Sequence, residues 1–153
     1  MSRIREKPAV GLWIRLAKVY GLMLREVRRE QSDSVVTLAQ FDVMAQLLRH
    51  PEGMTSGQLS EALLVTAGNV TGLVDRMSAQ GWVRRTPSTK DQRVHIVSLT
   101  AHGKRLAARE VERHEILLSK VLAGLGASAQ RDLSEQLDHM RLLLEQKSEE
   151  RAS

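Results

Sequence analysis

The sequence predicts a mainly α fold with a small β-hairpin, an α+β arrangement. Three observations carry this. Apolar residues recur at 3,4 spacing along most of the 153 residues. Only Trp82–Thr86 and Val94–Leu99 break that rhythm with β-branched runs, separated by the polar stretch Pro87–Gln92. Aromatic residues make up 3% of the chain, so a core must come from Leu, Val, Met and Ala, which favours helices.

The elements follow in order. Residues 9–31 read as a helix, because Trp13, Leu16, Tyr20, Met23 and Val27 fall on one stripe. Leu12, Val19 and Leu24 widen it, as expected of an interface helix buried on more than one side. Gln31 to Val35 reads as a loop. Thr37 and Gln40 form a capping box that opens a helix to about His50, ended by Pro51 and Gly53. Thr55 and Gln58 form a second one, opening a helix to about Leu64 with Leu59, Ala62 and Leu63 inward. After a short link at Leu64-Val65, Thr66 caps a further helix whose inner face is Val70, Leu73, Val74 and Met77. Two short helices so tightly joined form a helix-turn-helix. Gly81 fits the left-handed position that ends the second helix. The hairpin follows, with Val94, Ile96 and Ser98 alternating against His95, Val97 and Leu99. A helix pair with a hairpin directly behind it is a winged helix-turn-helix. Thr100 caps a long helix to about Ala123 with Ala107, Val111, His114, Leu118 and Val121 on one stripe, continued by Leu125. Ser128 caps a last helix to about Glu149, with Leu133, Leu137, Met140 and Leu144 in heptad-like register, and the tail 148–153 is expected to fray.

These elements suggest residues 1–35 as an N-terminal dimerisation helix, 36–100 as a DNA-binding region and 101–153 as C-terminal dimerisation helices, together one compact unit. The apolar stripes of the flanking helices exceed what one small helix-turn-helix can cover, so a second copy is expected as partner. A self-contained helical bundle is the alternative.

Charge points the same way. The net charge is +5. Residues 1–35 carry eight basic and four acidic groups, 36–65 one and three, 66–100 five and two, and 101–153 nine of each. The excess lies in the N-terminal segment and the helix–hairpin unit, and suits a polyanion. The outer side of the second helix is Thr66, Ala67, Gly68, Asn69, Thr71 and Gly72. Such small residues let a helix enter a major groove about 12 Å wide with its backbone near the bases. Thr66, Asn69 and Thr71 have hydrogen-bonding groups for bases or phosphates, and Arg76 is spaced to hold a phosphate. Close packing of another helix on Gly68 and Gly72 is the bland alternative, set against the roughly 1 kcal/mol that each glycine costs a helix. In the hairpin, Lys90 and Arg93 flank a tip that also holds Asp91. Arg93 suits the narrow, negative minor groove, and Asp91 can fix its rotamer beforehand. The alternative is an exposed ion pair worth under about 1 kcal/mol.

Leu38-Ala-Gln-Phe41, Gly68-Asn-Val-Thr-Gly-Leu-Val-Asp-Arg76, Gly81-Trp-Val-Arg-Arg85 and Asp91-Gln-Arg-Val-His-Ile-Val-Ser-Leu-Thr100 resemble the MarR family of bacterial transcription regulators. The Asp-x-Arg followed by Val-x-Leu-Thr is that family's wing signature. The resemblance implies a homodimer with intertwined terminal helices and double-stranded DNA as partner. A recognition helix would enter each major groove, and wing Arg93, buttressed by Asp91, the minor groove. It also implies repression relieved by a small, often aromatic acid ligand, in a cytoplasmic, nucleoid-associated protein. Gln92 stands where many members have Arg, which implies weaker salt-dependent affinity.

For such a ligand the candidates are Trp13, Tyr20, Phe41, Met44 and His114, where first, second and fifth helices could meet, with Arg15 or Arg49 facing a carboxylate. Plain core packing is the alternative for each. Phenolic carboxylates and acyl thioesters of aromatic acids are both open. An enzyme is not expected. His50, His95, His102, His114 and His139 lack metal-ligand spacing, and nucleophile elbow and phosphate loop are missing. No cofactor or metal is expected. The chain has no cysteine, so disulfide and thiol redox chemistry are excluded. No run approaches the roughly 18 apolar residues of a membrane span, and the charged N-terminus does not read as a signal peptide. A winged helix that binds protein and never DNA is the remaining rival, and Arg76, Lys90 and Arg93 speak against it.

Overall fold

The computed structural model describes residues 7–152. The elements are α1 (Pro8–Glu30), a 3-10 turn (Gln31–Asp33), α2 (Leu38–Arg49), β1 (Met54–Thr55), α3 (Ser56–Leu63), α4 (Ala67–Ala79), β2 (Val83–Pro87), β3 (His95–Leu99), α5 (Ala101–Val121) and α6 (Ala127–Ala152). The chain divides into two units, Met1–Leu117 and Leu118–Ser153. No helix among the described residues is long and apolar enough to cross a membrane.

Both capping boxes form. Thr37 accepts from the Gln40 N–H while the Gln40 side chain accepts from the Thr37 N–H, and Thr55 and Gln58 do the same. Gln40 is buried and also donates to the Gln80 side chain at 3.2 Å, tying the start of α2 to the end of α4. Gly81 ends α4 at φ 70, and the Trp82 N–H reaches back to the Met77 carbonyl at 3.0 Å. That backbone favours a residue without Cβ.

The sheet has three antiparallel strands in the order β1-β3-β2. The two-residue β1, pairing Met54 with Val97, was not foreseen; it is too short to leave an alternation signal. Of the two alternating sets on β3, Val97 and Leu99 face inward. One core joins Val36, Phe41, Val43, Met44 and Leu47 of the α2 segment to Met54, Leu59, the α4 stripe Val70, Leu73, Val74 and Met77, and Trp82, Val83, Val97, Leu99, Leu106 and Ala107. The α4 stripe is therefore as expected. In α3, Leu59 is buried but Ala62 is exposed, because the helix turns only a narrow face inward.

The long helices depart from expectation in burial. On α1 only Val27 is buried, and Leu12, Trp13, Ile14, Val19 and Tyr20 are each more than half exposed. Among the described residues of its own unit, nothing covers that stripe. The start of α5 buries Gly103, Leu106, Ala107 and Glu110, with Val111 half-buried. In the second unit, α6 begins at Ala127, one residue before the expected cap Ser128, and runs to Ala152 rather than Glu149. Its leucines 133, 137, 142, 143 and 144 are exposed.

Helix α5 is seated by Thr100. Its N–H donates to the Trp82 carbonyl at 3.0 Å, its hydroxyl donates to the Gly81 carbonyl at 2.7 Å, and the same oxygen accepts from the Gly103 N–H at 3.0 Å. Gly103 lies flat against the Trp82 backbone, where an added Cβ would fall 1.9 Å from the carbonyl oxygen. Gly103→Ala should thus lower unfolding free energy by about 3 kcal/mol, the upper range for overpacking, measurable by urea titration. A loss under about 0.5 kcal/mol would mean α5 is not clamped there.

Candidate nucleic-acid interface

Helix α4 has two sides of opposite character. Val70, Leu73, Val74 and Met77 are buried, while Thr66, Ala67, Gly68, Asn69, Thr71 and Arg76 are exposed and Gly72 is half-exposed. A Cβ built on Gly68 would meet nothing within 4 Å, and one on Gly72 only the tip of Arg76. Among the described residues, no neighbouring helix therefore uses these glycines for close packing.

The polar groups of this face differ in how free they are. The Thr66 hydroxyl caps the helix, accepting from the Asn69 N–H at 3.4 Å. The Thr71 hydroxyl donates to the Ala67 carbonyl at 3.0 Å. The Asn69 amide and the Arg76 guanidinium find no partner among the described residues. The helix N-terminus adds its partial positive charge.

The wing tip is held by its own polar atoms. The Ser88 N–H donates to the Val94 carbonyl at 2.7 Å, and the Val94 N–H to the Asp91 carbonyl at 2.9 Å. Asp91 grips Arg93 three times: Oδ1 accepts from the backbone N–H at 3.0 Å and from Nε at 3.2 Å, and Oδ2 from Nη2 at 3.2 Å. These bonds hold the Asp91 carboxyl below its ordinary range. The Arg93 side chain is nonetheless 91% exposed, so the pair orders the guanidinium without hiding it. Lys90 stands exposed at the tip.

Arg85 was missed by sequence reasoning. From β2 it reaches α4, pairing with Asp75 at 2.6 Å and donating to the Thr71 carbonyl at 3.3 Å. Arg84 on the other face donates to Ser98 across the sheet at 3.2 Å. The available signal was strand alternation: with Val83 inward, Arg84 and Arg85 must part. Together Thr55, Ser56, Gly57, Thr71, Arg85, Arg93, Val94 and His95 line an open groove of about 620 Å³ between the start of α3, α4 and the wing. Three of those residues are cationic or titratable bases and none is an acid.

The ligand candidates are spread out. Phe41 and His114 do meet, with ring centroids 4.6 Å apart, linking α2 to α5. Partial loss of hydration pushes the neighbouring Asp42 carboxyl above its ordinary range, and the His114 charge pulls it partly back. Met44 is fully buried in the core, whereas Trp13 and Tyr20 are about two-thirds exposed on α1. Arg15 and Arg49 are also exposed.

The MarR family model matches residues 36–94, the stretch just described. The multiple antibiotic resistance protein MarR of Escherichia coli is 34% identical, over 57% of this chain and 74% of that protein. The chain belongs to the MarR family. The regulator PecS of Dickeya dadantii is 32% identical over 65% of this chain and 61% of its own length, so the match spans less than two thirds of PecS. The apo form of E. coli MarR has a similar structure, with a TM-score of 0.73 at 25% identity over 84% of this chain and 95% of that one. Bordetella bronchiseptica BpsR, whose DNA binding is regulated by 6-hydroxynicotinic acid, has a TM-score of 0.76 at 22% identity, over 90% and 95%. The MarR-family relatives that the chain matches are transcriptional regulators.

The Asp75–Arg85 bridge is the joint between wing and α4. A double-mutant cycle with Asp75→Ala and Arg85→Ala should give a coupling of about 0.5–1 kcal/mol in unfolding free energy, as for a partly exposed pair. Zero coupling would show that the hairpin is held by its strand bonds alone.

Proposed function

We propose that the chain is a dimeric repressor of a pseudo-palindromic operator, released when a small aromatic acid binds. The observation that carries the DNA half is the exposed, small-residue face of α4 beside a preordered, solvent-facing Arg93. On this reading α4 lies in the major groove. Asn69 reads base edges, the backbone at Ala67, Gly68 and Gly72 comes close to the bases, and Thr66 and Thr71 contribute through atoms not spent on the helix. Arg76 and Lys90 hold phosphates. Arg93 enters the minor groove with Asp91 behind it.

The dimer half rests on the uncovered apolar stripes. Residues 1–35 and 101–153 would be the dimerisation segments and 36–100 the DNA-binding region. Leu12, Trp13 and Tyr20 of α1, and Leu133, Leu137 and Leu144 of α6, are each at least 40% exposed in one chain. A second copy of this chain offers matching stripes. Two-fold symmetry would then set two α4 helices about 10 bp apart on one DNA face.

The ligand half is supported by BpsR, which answers to an aromatic acid, and by the Phe41–His114 contact. The pocket would form around Phe41 and His114, with Trp13 and Tyr20 brought in by the dimer and Met44 behind. A cytoplasmic location follows from the function, since the operator is there.

Gel-shift titration against DNA flanking the gene, at two salt concentrations, tests the regulator. Binding should weaken steeply with salt. Arg93→Ala should cost about 1–3 kcal/mol of affinity, and Asp91→Ala less, with no change in folding stability beyond about 0.5 kcal/mol. An Arg93→Ala protein that binds as well as wild type would take the wing out of the mechanism. Sedimentation should show a dimer for the full chain and a weakened one without residues 1–30. Aromatic acids that raise the melting temperature should also dissociate the DNA complex; stabilisation without release would break the proposed link.

A further inference from the structure

The turn between α3 and α4 contains a residue that the fold does not ask for. Leu64 has φ 54 and ψ 39, and is the one non-glycine with positive φ among the described residues. A Cβ is disfavoured in that conformation, and helix ends of this kind normally carry Gly or Asn. The conformation is imposed from both sides. The Leu64 N–H donates to the Glu61 carbonyl at 3.2 Å, and the Val65 N–H to the Ser60 carbonyl at 3.1 Å. The Ser60 hydroxyl donates in turn to the Val65 carbonyl at 2.5 Å.

Packing does not offset this strain. The Leu64 side chain is 92% exposed, and Val65 beside it 42%. Both precede Thr66, the cap of α4, and the exposed run continues through Ala67, Gly68 and Asn69. The leucine is thus an apolar projection at the end of α4 that enters a groove first. It has no donor for a phosphate. The 5-methyl of thymine is the apolar group that base pairs present in the major groove.

We propose that Leu64 is a specificity-determining residue, making apolar contact with a thymine 5-methyl group at the edge of each DNA half-site. This rests on the DNA reading above. The strained, solvent-facing leucine is retained for its contact outside the protein, in keeping with the tendency of strained backbone to gather at functional positions.

The test uses the full-length protein and an operator duplex resynthesised with deoxyuridine in place of thymine, one symmetric pair at a time. At one such pair wild type should lose about fourfold in affinity per methyl removed, the value of one buried methylene, and so about sixteenfold for the pair. Leu64→Gly and Leu64→Asn should show no loss there, and should bind the unmodified operator more weakly by the same factor. Their Tm should equal or exceed that of wild type, by up to about 4 °C, because strain is relieved. A Tm several degrees lower would make Leu64 a structural residue and overturn the inference. So would a wild type whose affinity depends on no methyl that the variants ignore. Failure of wild type to bind any operator fragment would instead remove the DNA reading itself.

Discussion

The whole arrangement hangs on one threonine. Thr100 binds the backbone of Gly81 and Trp82 on one side and the first turn of α5 on the other. Gly81 and Trp82 close α4 and open β2, while Thr100 closes β3 and opens α5. A single side chain thus sets where the outer α4 face ends, where the wing begins and in which direction α5 leaves. Its hydroxyl has one hydrogen, and the shorter bond, to Gly81 rather than to Trp82 at 3.2 Å, is the one it serves best. With the oxygen accepting from Gly103 as well, donor and acceptor capacity are both used.

Local grammar made much of this legible in the sequence. The capping boxes at Thr37 and Thr55, Gly81 at a positive φ and the Asp91–Arg93 pair each involve atoms within a few residues, so residue type and spacing suffice. What escaped depends on distant partners. Met54–Thr55 is a strand only because Val97 and Ile96 lie alongside it. Arg85 looks like any cation of a basic hairpin until Asp75 and Thr71 are seen opposite. Gly103 reads as a mild helix defect, yet it is the point where α5 touches Trp82. The α1 and α6 stripes were legible as apolar, but periodicity says that a face needs cover and not which chain supplies it.

The charges of the candidate interface divide between those that hold the protein and those left for a partner. Asp75 and Asp91 are the acids of residues 66–100, and each is committed to one arginine. Asp75 draws Arg85 onto the body of the domain, where only 32% of its side chain is exposed. Asp91 orders Arg93 but leaves it in solvent. Arg76 and Lys90 pair with no acid among the described residues, although Asp75 and Asp91 adjoin them in sequence. A segment rich in cations therefore keeps its fold by neutralising the cations it uses as struts. Gln92 fits this economy: the wing already orders one guanidinium, and a further tip cation would have no acid to organise it.

Any switch must act through contacts that tie α5 to the α2–α4 core. Two are visible. Phe41 stacks near His114, and the buried Glu110 accepts from the Ser34 hydroxyl at 3.0 Å while Ser34 in turn accepts from the Val36 N–H at 3.1 Å. Both lie at the beginning of α2, whose Gln40 touches Gln80 at the end of α4. A ligand between Phe41 and His114 would separate those rings, and α5 could shift only by straining the Glu110–Ser34 bond or by carrying α2 with it. Moving α2 moves the surface on which Val70 and Val74 rest, and so the angle of α4. Tight binding alone would achieve nothing; the ligand must prefer the displaced arrangement. To turn the population from 1:99 to 99:1 that preference must reach about 10⁴-fold. A weaker preference would suffice only if the displaced state lay within a few kcal/mol of the DNA-competent one.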